Sequence, residues 1–220
     1  ISAHAPKSAD LILVTHSHYD HALDVGTLAK RTHAAVAGTE STLNLVRAEG
    51  VAESELLRAA PHAAIDRGPF DVQVFRSLHS LTGQAYSEIP RAVHLPMNAD
   101  GYGEGGTLQY LVTAEGRSVF FVGSANFVEA EINGLHPNVA VIATGLREKI
   151  PDYTCRLLHA LGNPPLVIAS HFDAFWKSLD DDTTLAPETR ADLAKFTEEA
   201  HACSPLTRVV VPEHFQRFAL

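Results

Sequence analysis

The stretch "LVTHSHYDHALD", residues 13–24, places three histidines and an aspartate within six consecutive positions. An apolar run leads into it and predicts a short buried strand, and the residues after it have the apolar spacing of a helix. Side chains two apart in an extended segment project to the same side, so His16 and His18 are expected to reach one metal ion together. Asp20 and His21 follow at the turn and are expected to face a neighbouring position. This mixed nitrogen and oxygen ligand set suits Zn²⁺, with Mn²⁺ and Fe²⁺ as alternatives.

The rest of the chain alternates strand-like runs with helical patterns, which indicates a layered α/β domain. Short apolar runs predict strands, and apolar residues at helical spacing predict helices. The predicted strands are 11–15, 34–38, 70–78, a hairpin over 107–123, 139–145, 165–170 and 207–212, and the predicted helices are 21–31, 39–50, 152–161 and 187–201. A Gly- and Pro-containing stretch over 80–106 is too long for an ordinary connection and is expected to be a functional loop or lid.

Composition narrows the classes of function. The net charge of −9 argues against a nucleic-acid-binding surface, which needs clustered Lys and Arg, so a small-molecule substrate is expected. No window contains the roughly 18 uninterrupted apolar residues of a membrane span. Cys155 and Cys203 have no metal-type or redox-type spacing and are expected to be ordinary thiols. The sequence assigns neither a compartment nor an oligomeric state.

The motif "THSHYDH" (15–21) resembles the H-x-H-x-D-H signature of the metallo-β-lactamase superfamily, and the resemblance continues along most of the chain. His79 in "RSLHS" and His171 in "IASHFDAFW" both follow predicted strands, where this family places two further metal-binding histidines. The context "SHFDAFWKSLD" (170–180) is most similar to the branch that includes ascorbate-phosphate lactonases and N-acylphosphatidylethanolamine phospholipase D type enzymes. The implied ligands are His16, His18 and His79 for a first metal and Asp20, His21 and His171 for a second.

The resemblance also implies a fold, an α+β four-layer sandwich of αβ/βα type. Residues 1–220 are expected to form a single domain of this kind. The family normally has several antiparallel strands ahead of the signature, and the residues before His16 are too few to supply them. The chain also begins with Ile1 rather than Met. We therefore expect the domain to be incomplete at its N-terminal side, which would leave a sheet edge bare.

The chain departs from the family pattern at Ser124. In "FFVGSANF" this serine stands where the family has an aspartate that bridges two metals. A neutral hydroxyl is a poor ligand for a divalent ion, so two outcomes stay open: a second ion held more weakly, or one ion with Asp20 left free as a base. Ser124 acting through a water molecule, and Asn126 acting through its oxygen, are candidate extra ligands.

The leading hypothesis is a metal-dependent hydrolase in which a metal-bound hydroxide cleaves a lactone, another acyl bond or a phosphodiester. Asp20 would orient the water or accept its proton. Asp173 would orient a ligand histidine, or else cap a helix. The alternative is a degenerate family member that binds metal in a structural or binding role without turnover. Candidate substrate-binding residues in the 80–106 loop are Arg91, His94 and Tyr102.

Overall fold

The computed structural model describes residues 5–84, 86–174 and 185–213. These residues cluster into two compact units. The first unit comprises residues 5–79, 83–84 and 86–116, and the second comprises 80–82, 117–174 and 185–213. Both units combine strands with helices, so the predicted mixed α/β class is confirmed. Among the described helices, none has the length and apolar character needed to cross a membrane.

The first unit opens with a parallel three-stranded sheet. Its strands are β1 (Leu11–Leu13), β2 (Ala35–Gly38) and β3 (Leu56–Arg58), paired in that order. The helices α1 (Tyr19–Ala22), α2 (Val25–Thr32) and α3 (Glu40–Ala48) lie between these strands in the sequence. Parallel strands require such crossovers, and their C-terminal ends lie at the same edge of the sheet.

The central strand β2 is buried on both faces, as expected for a short run of small apolar residues. Its Val36 packs with Val25 of α2 and Val46 of α3. The next residue, Ala37, points to the opposite face and packs with Val74 and Tyr110. Two apolar layers therefore meet on this one strand, which fixes the position of β1 beside it.

An antiparallel sheet segment completes the first unit. It contains β4 (Ala64–Arg67), β5 (Phe70–Arg76) and β6 (Leu108–Ala114), paired in chain order. In β5, Val72 and Val74 are buried while Asp71 and Gln73 are exposed, as the alternating pattern predicts. The loop between β5 and β6 has one short 3₁₀ turn among its described residues, at Ala99–Gly101.

The second unit is built on four parallel strands. These are β7 (Arg117–Val122), β8 (Val139–Ala143), β9 (Leu166–Ser170) and β10 (Arg208–Val210), in the order β10-β9-β8-β7. Its described helices are α4 (Glu129–Ile132), α5 (Tyr153–Ala160) and α6 (Pro187–Cys203). Helix α6 begins with Pro187, whose fixed φ suits the first helical position.

A buried cation anchors α6. The Arg147 side chain is 3% exposed and its guanidinium lies 2.6 Å from an oxygen of Asp192 and 3.2 Å from one of Glu199. The same guanidinium stacks on the ring of Phe196, 5.5 Å from its centroid. Both carboxylates and the ring belong to α6, so this arginine ties the turn after β8 to that helix.

The expectation that the two cysteines are ordinary thiols is wrong. Cys155 of α5 and Cys203 of α6 form a disulfide, with their Cα atoms 5.3 Å apart. The two positions are separated by 48 residues, so their spacing carries none of the short-range signals that identify a cysteine pair from sequence.

Removing this disulfide is expected to lower the free energy of unfolding by about 2–4 kcal/mol, because the bond closes a long loop and restricts the unfolded chain. Urea unfolding of the wild-type protein with and without a reductant measures the difference. The Cys155→Ser variant serves as the control, since its stability should not respond to the reductant. Identical wild-type midpoints in the two buffers would contradict the prediction.

Candidate metal centre

Three predicted ligands of the first metal come together in the first unit. His16 and His18 follow β1, and His79 follows β5, so the two segments leave their strands and converge. The nearest ring nitrogens of these three side chains all lie within 4.8 Å of one another. His16 is 1% exposed, whereas His18 and His79 are partly buried.

The distances between these nitrogens suit a metal ion. The Nδ1 of His18 lies 3.2 Å from the Nε2 of His79. Two nitrogen ligands of tetrahedral Zn²⁺, each at roughly 2.0–2.1 Å from the ion, lie about 3.4 Å apart. The Nε2 of His16 is buried and has no hydrogen-bond partner in the described part of the chain. A buried unsatisfied nitrogen is costly, and coordination of a metal by Nε2 would satisfy it.

The other nitrogen of His16 has a supporting contact. With Nε2 as the ligand atom, Nδ1 carries the proton and donates to the hydroxyl oxygen of Thr15, at 3.2 Å. Metal-binding histidines usually donate their second N–H in this way, which fixes both the tautomer and the orientation of the ring. The Thr15 contact is therefore compatible with the tautomer in which Nε2 of His16 is the ligand atom.

The electrostatic environment keeps these imidazoles uncharged. Burial lowers the pKa of His16 well below its usual range, and the neighbouring His21 and His79 lower it further. The pKa of His18 is lowered by burial and by His79, against the opposing effect of nearby carboxylates. Metal coordination needs neutral imidazole, so both shifts favour the binding form.

Asp20 and His21 lie beside this cluster, at the start of the first unit's helical region. An oxygen of Asp20 is 3.2 Å from Nε2 of His21. The ring centroid of His21 is 3.9 Å from that of His16. Both residues belong to α1, which begins directly after His18. The structure thus brings the three histidines and the aspartate of the motif, together with His79, into one small region.

His171 belongs to the second unit and follows β9 directly. It has a left-handed backbone conformation, with φ of 54°, which is uncommon for a residue other than glycine. Its carbonyl oxygen accepts a hydrogen bond from the N–H of Gly145 at 3.2 Å. Asp173 lies two positions further on. The ligand role of His171 and the supporting role of Asp173 stay predictions, and residues 175–180 of the surrounding motif lie outside the described residues.

Ser124 and Asn126 each have hydrogen-bond partners within the second unit. Ser124 is 2% exposed, and its hydroxyl oxygen accepts the N–H of Ser80 at 2.9 Å. The side-chain oxygen of Asn126 accepts the N–H of Phe127 at 2.9 Å. The side-chain oxygens of Ser124 and Asn126 each already accept one hydrogen bond, so contact with a metal, direct or through water, would use their remaining lone pairs. Their role as extra ligands stays a prediction.

The predicted substrate-binding residues have different environments. Arg91 is 72% exposed and its guanidinium lies 3.9 Å from the carboxylate of Glu53. His94 is also exposed. Tyr102, by contrast, is 7% exposed, and its burial raises the pKa of the hydroxyl. Its buried packing partners are Ala22, Leu45 and Ile89. Contact of these three residues with a substrate stays a prediction.

Two residues near the cluster were not predicted from the sequence. Ser17, between the two histidines of the motif, is fully buried. Glu104 lies in the glycine-rich stretch "GYGEGG" (101–106), and its charge acts on His18. An acidic residue placed among glycines was the available clue. It was not decisive, because glycine-rich surface turns are common.

Comparisons with known proteins agree with this architecture. A family model described as a beta-lactamase superfamily domain matches residues 2–201. A protein of Pyrococcus furiosus named as a metal-dependent hydrolase is 31% identical over 118 residues, which are 53% of this chain and 44% of that protein. The match therefore spans less than half of that relative's length.

Solved structures show the same fold. Igni18, a metallo hydrolase from Ignicoccus hospitalis, is similar with 18% identity and a TM-score of 0.59, over 94% of this chain and 77% of that one. CmlA, a diiron β-hydroxylase from Streptomyces venezuelae, has 15% identity and a TM-score of 0.65, over 98% of this chain and 45% of that one. The fold expected from the sequence motif is confirmed.

Chelator-treated protein should lose stability as the pH falls through about 6.5, the ordinary histidine pKa. Below that pH the histidines of the unfolded chain bind protons, whereas His16 and His18 resist protonation in the folded state because their pKa values are lowered. Protons then favour unfolding, so stability rises with pH across this window. Urea unfolding between about pH 5.5 and 7.5 measures the slope.

Two variants isolate the effect. His16→Gln removes the buried titrating group and should flatten the slope. His33→Gln removes a histidine whose side chain is 84% exposed and should keep the wild-type slope. Equal slopes in the two variants would show that the buried cluster does not govern the pH dependence.

Proposed function

Because the chain belongs to the beta-lactamase superfamily domain family, we propose that it is a metal-dependent hydrolase whose first metal is held by His16, His18 and His79. The observation that carries the proposal is the convergence of these three imidazoles, with Nε2 of His16 buried and without a hydrogen-bond partner among the described residues. A divalent ion bound there would act as a Lewis acid and lower the pKa of a water ligand toward roughly 7.

The side chains around the cluster have distinct tasks in this proposal. Thr15 keeps His16 in its ligand tautomer through the 3.2 Å contact with Nδ1. Asp20 orients the attacking water or accepts its proton, since its carboxylate lies beside the cluster. The bond that is cleaved is a lactone, another acyl bond or a phosphodiester, and the substrate is a small molecule contacted through the 80–106 loop.

We further propose a second ion site formed by Asp20, His21 and His171, on the strength of the sequence motif and its order along the chain. Without a carboxylate at position 124, this site has Asp20 as its one anionic ligand and would hold its ion more weakly. Zn²⁺ is the first candidate for both positions because imidazole and carboxylate ligands suit it, with Mn²⁺ and Fe²⁺ as alternatives. The family match spans parts of both units, which supports their working as one domain.

Replacement of His16, His18 or His79 by alanine should abolish metal binding and lower turnover by at least about 100-fold, more than is typical for residues that only support a ligand. Metal content is measured by elemental analysis of the purified protein. Turnover is measured on a panel of model lactones, thioesters and phosphodiesters.

His33→Ala is the matched control, because this histidine is 84% exposed and lies 3.8 Å from Glu55 on the surface. It should retain wild-type metal content and rate. Intact turnover in the His16 or His18 variant would rule out the proposed chemistry.

A second candidate function is a metal-binding protein without turnover, favoured by the neutral Ser124 in place of the expected carboxylate. Ser124→Asp distinguishes the two functions. An added carboxylate should raise the metal content from about one toward about two ions per chain and change the rate if the site is catalytic.

Ser124→Asn is the control for this substitution, because it introduces a neutral side chain of similar size. Both variants keep an oxygen that can accept the N–H of Ser80. Full metal occupancy, together with no activity on the panel in the wild type and in Ser124→Asp, would favour the non-catalytic role.

A further inference from the structure

One short segment hydrogen-bonds to the backbone on both sides of the histidine cluster. This bracing segment is Glu104–Leu108. The N–H of Leu108 donates to the carbonyl of Thr15 at 2.8 Å, and the N–H of Ser17 donates to the carbonyl of Glu104 at 3.0 Å. Thr15 and Ser17 flank His16 in the sequence, so the segment holds the backbone on either side of that ligand.

The same segment also hydrogen-bonds to the stretch that follows β5 and carries His79. The N–H of Ser77 donates to the carbonyl of Thr107 at 2.9 Å, two positions before His79. All these groups belong to the first unit. The bracing segment is therefore a shared support for the His16–His18 stretch and for His79. It helps set the 3.2 Å separation between Nδ1 of His18 and Nε2 of His79.

Side chains strengthen this support. The hydroxyl of the buried Ser17 donates to the carbonyl of Gly103 at 2.6 Å and lies 3.1 Å from that of Glu104. The hydroxyl of Thr107 donates to the carboxylate of Glu104 at 2.8 Å. The Ser17 side chain thus attaches its own stretch to the loop before β6. Its two neighbours, His16 and His18, are the side chains that converge with His79.

Gly105 is the residue that allows this close approach. Its φ of +67° lies in the left-handed region, and an added Cβ would overlap the Cβ of Ser41 and lie 2.7 Å from the hydroxyl of Ser17. Ser41 cannot move away freely, because its hydroxyl accepts the N–H of Ile89 at 3.0 Å. Any side chain at position 105 must therefore displace the segment, and with it the backbone that carries the ligands.

We propose that Gly105 and Ser17 are positioning residues of the metal centre, acting through the bracing segment to set the distance between the two ligand-bearing stretches. The proposal rests on the proposed function for its metal. Functional sites tolerate errors of only about 0.5 Å in the placement of their side chains, so a displaced support should weaken metal binding even where the fold is kept.

The test compares Gly105→Ala with Gly68→Ala. Gly68 has a similar φ of +59°, and a Cβ there would have nothing within 4 Å, so this control carries the backbone strain without the collision. Zn²⁺ affinity is measured by competition with a chromophoric chelator, and coordination geometry by the visible absorption of the Co²⁺-loaded protein. Gly105→Ala should weaken Zn²⁺ binding roughly 10–100-fold and change the Co²⁺ spectrum, whereas Gly68→Ala should leave both unchanged.

Ser17→Ala is the second variant, and it adds no atoms that could prevent folding. It removes the side-chain hydrogen bonds and keeps the backbone one, so Zn²⁺ affinity should fall about 3–10-fold. Wild-type affinity in both Gly105→Ala and Ser17→Ala would overturn the proposal.

A measurement on metal-free protein separates this proposal from the proposed function. Amide hydrogen exchange of Ser77, followed by NMR, should speed up about tenfold or more in Gly105→Ala and stay unchanged in Gly68→Ala, since the segment couples position 105 to the His79 stretch. Failure of the wild-type protein to bind Zn²⁺ would contradict the proposed function. In that event, unchanged Ser77 exchange in Gly105→Ala would also overturn the coupling proposed here, whereas faster exchange would support it.

Discussion

Three imidazoles held close together, with the His16 ring fully buried, form the constraint on which the rest of the site depends. Burial and the neighbouring histidines lower the pKa values of His16 and His18, so both rings stay neutral. Each neutral ring keeps one nitrogen that carries no proton. His18 and His79 can share one hydrogen between them across 3.2 Å, but the Nε2 of His16 has no partner among the described residues. The folded chain thus keeps these side chains in place at a cost to its own stability, a cost that binding of a metal ion would offset.

The fold of the first unit explains how side chains far apart in sequence reach this position. β1 and β2 are parallel and end at the same edge, and β2 is packed on both faces through Val36 and Ala37. The hydroxyl of Tyr110 in β6 donates to the carbonyl of Val14 at 2.8 Å, which links the antiparallel segment to the end of β1. Since β5 pairs with β6, His79 is carried toward His16 by strand pairing and does not depend on a flexible loop.

Sequence patterns predicted the parts of this architecture that are local. Strands and helices with a clear apolar pattern were found near their predicted bounds. The short elements β3, β4 and α4 were missed, because charged residues interrupt or end the few apolar positions in each of them. The motif histidines were recognisable because their chemistry and spacing lie within one short stretch. Ser17 and Glu104 were not, because their contact joins positions 87 residues apart and leaves no periodic trace. The disulfide was missed for the same reason.

The long loop between β5 and β6 has two parts with different physical constraints. From Ile89 to Tyr102 it carries buried apolar side chains that pack on Ala22 and Leu45, and the amide of Asn44 donates to the carbonyl of Ile89 at 2.9 Å. Its last residues form the bracing segment beside the histidines. The positions between Ser80 and Ile89 that the structure describes are exposed. Sequence changes are therefore more easily accommodated in this exposed part, because changes in the packed part would also displace the clustered histidines.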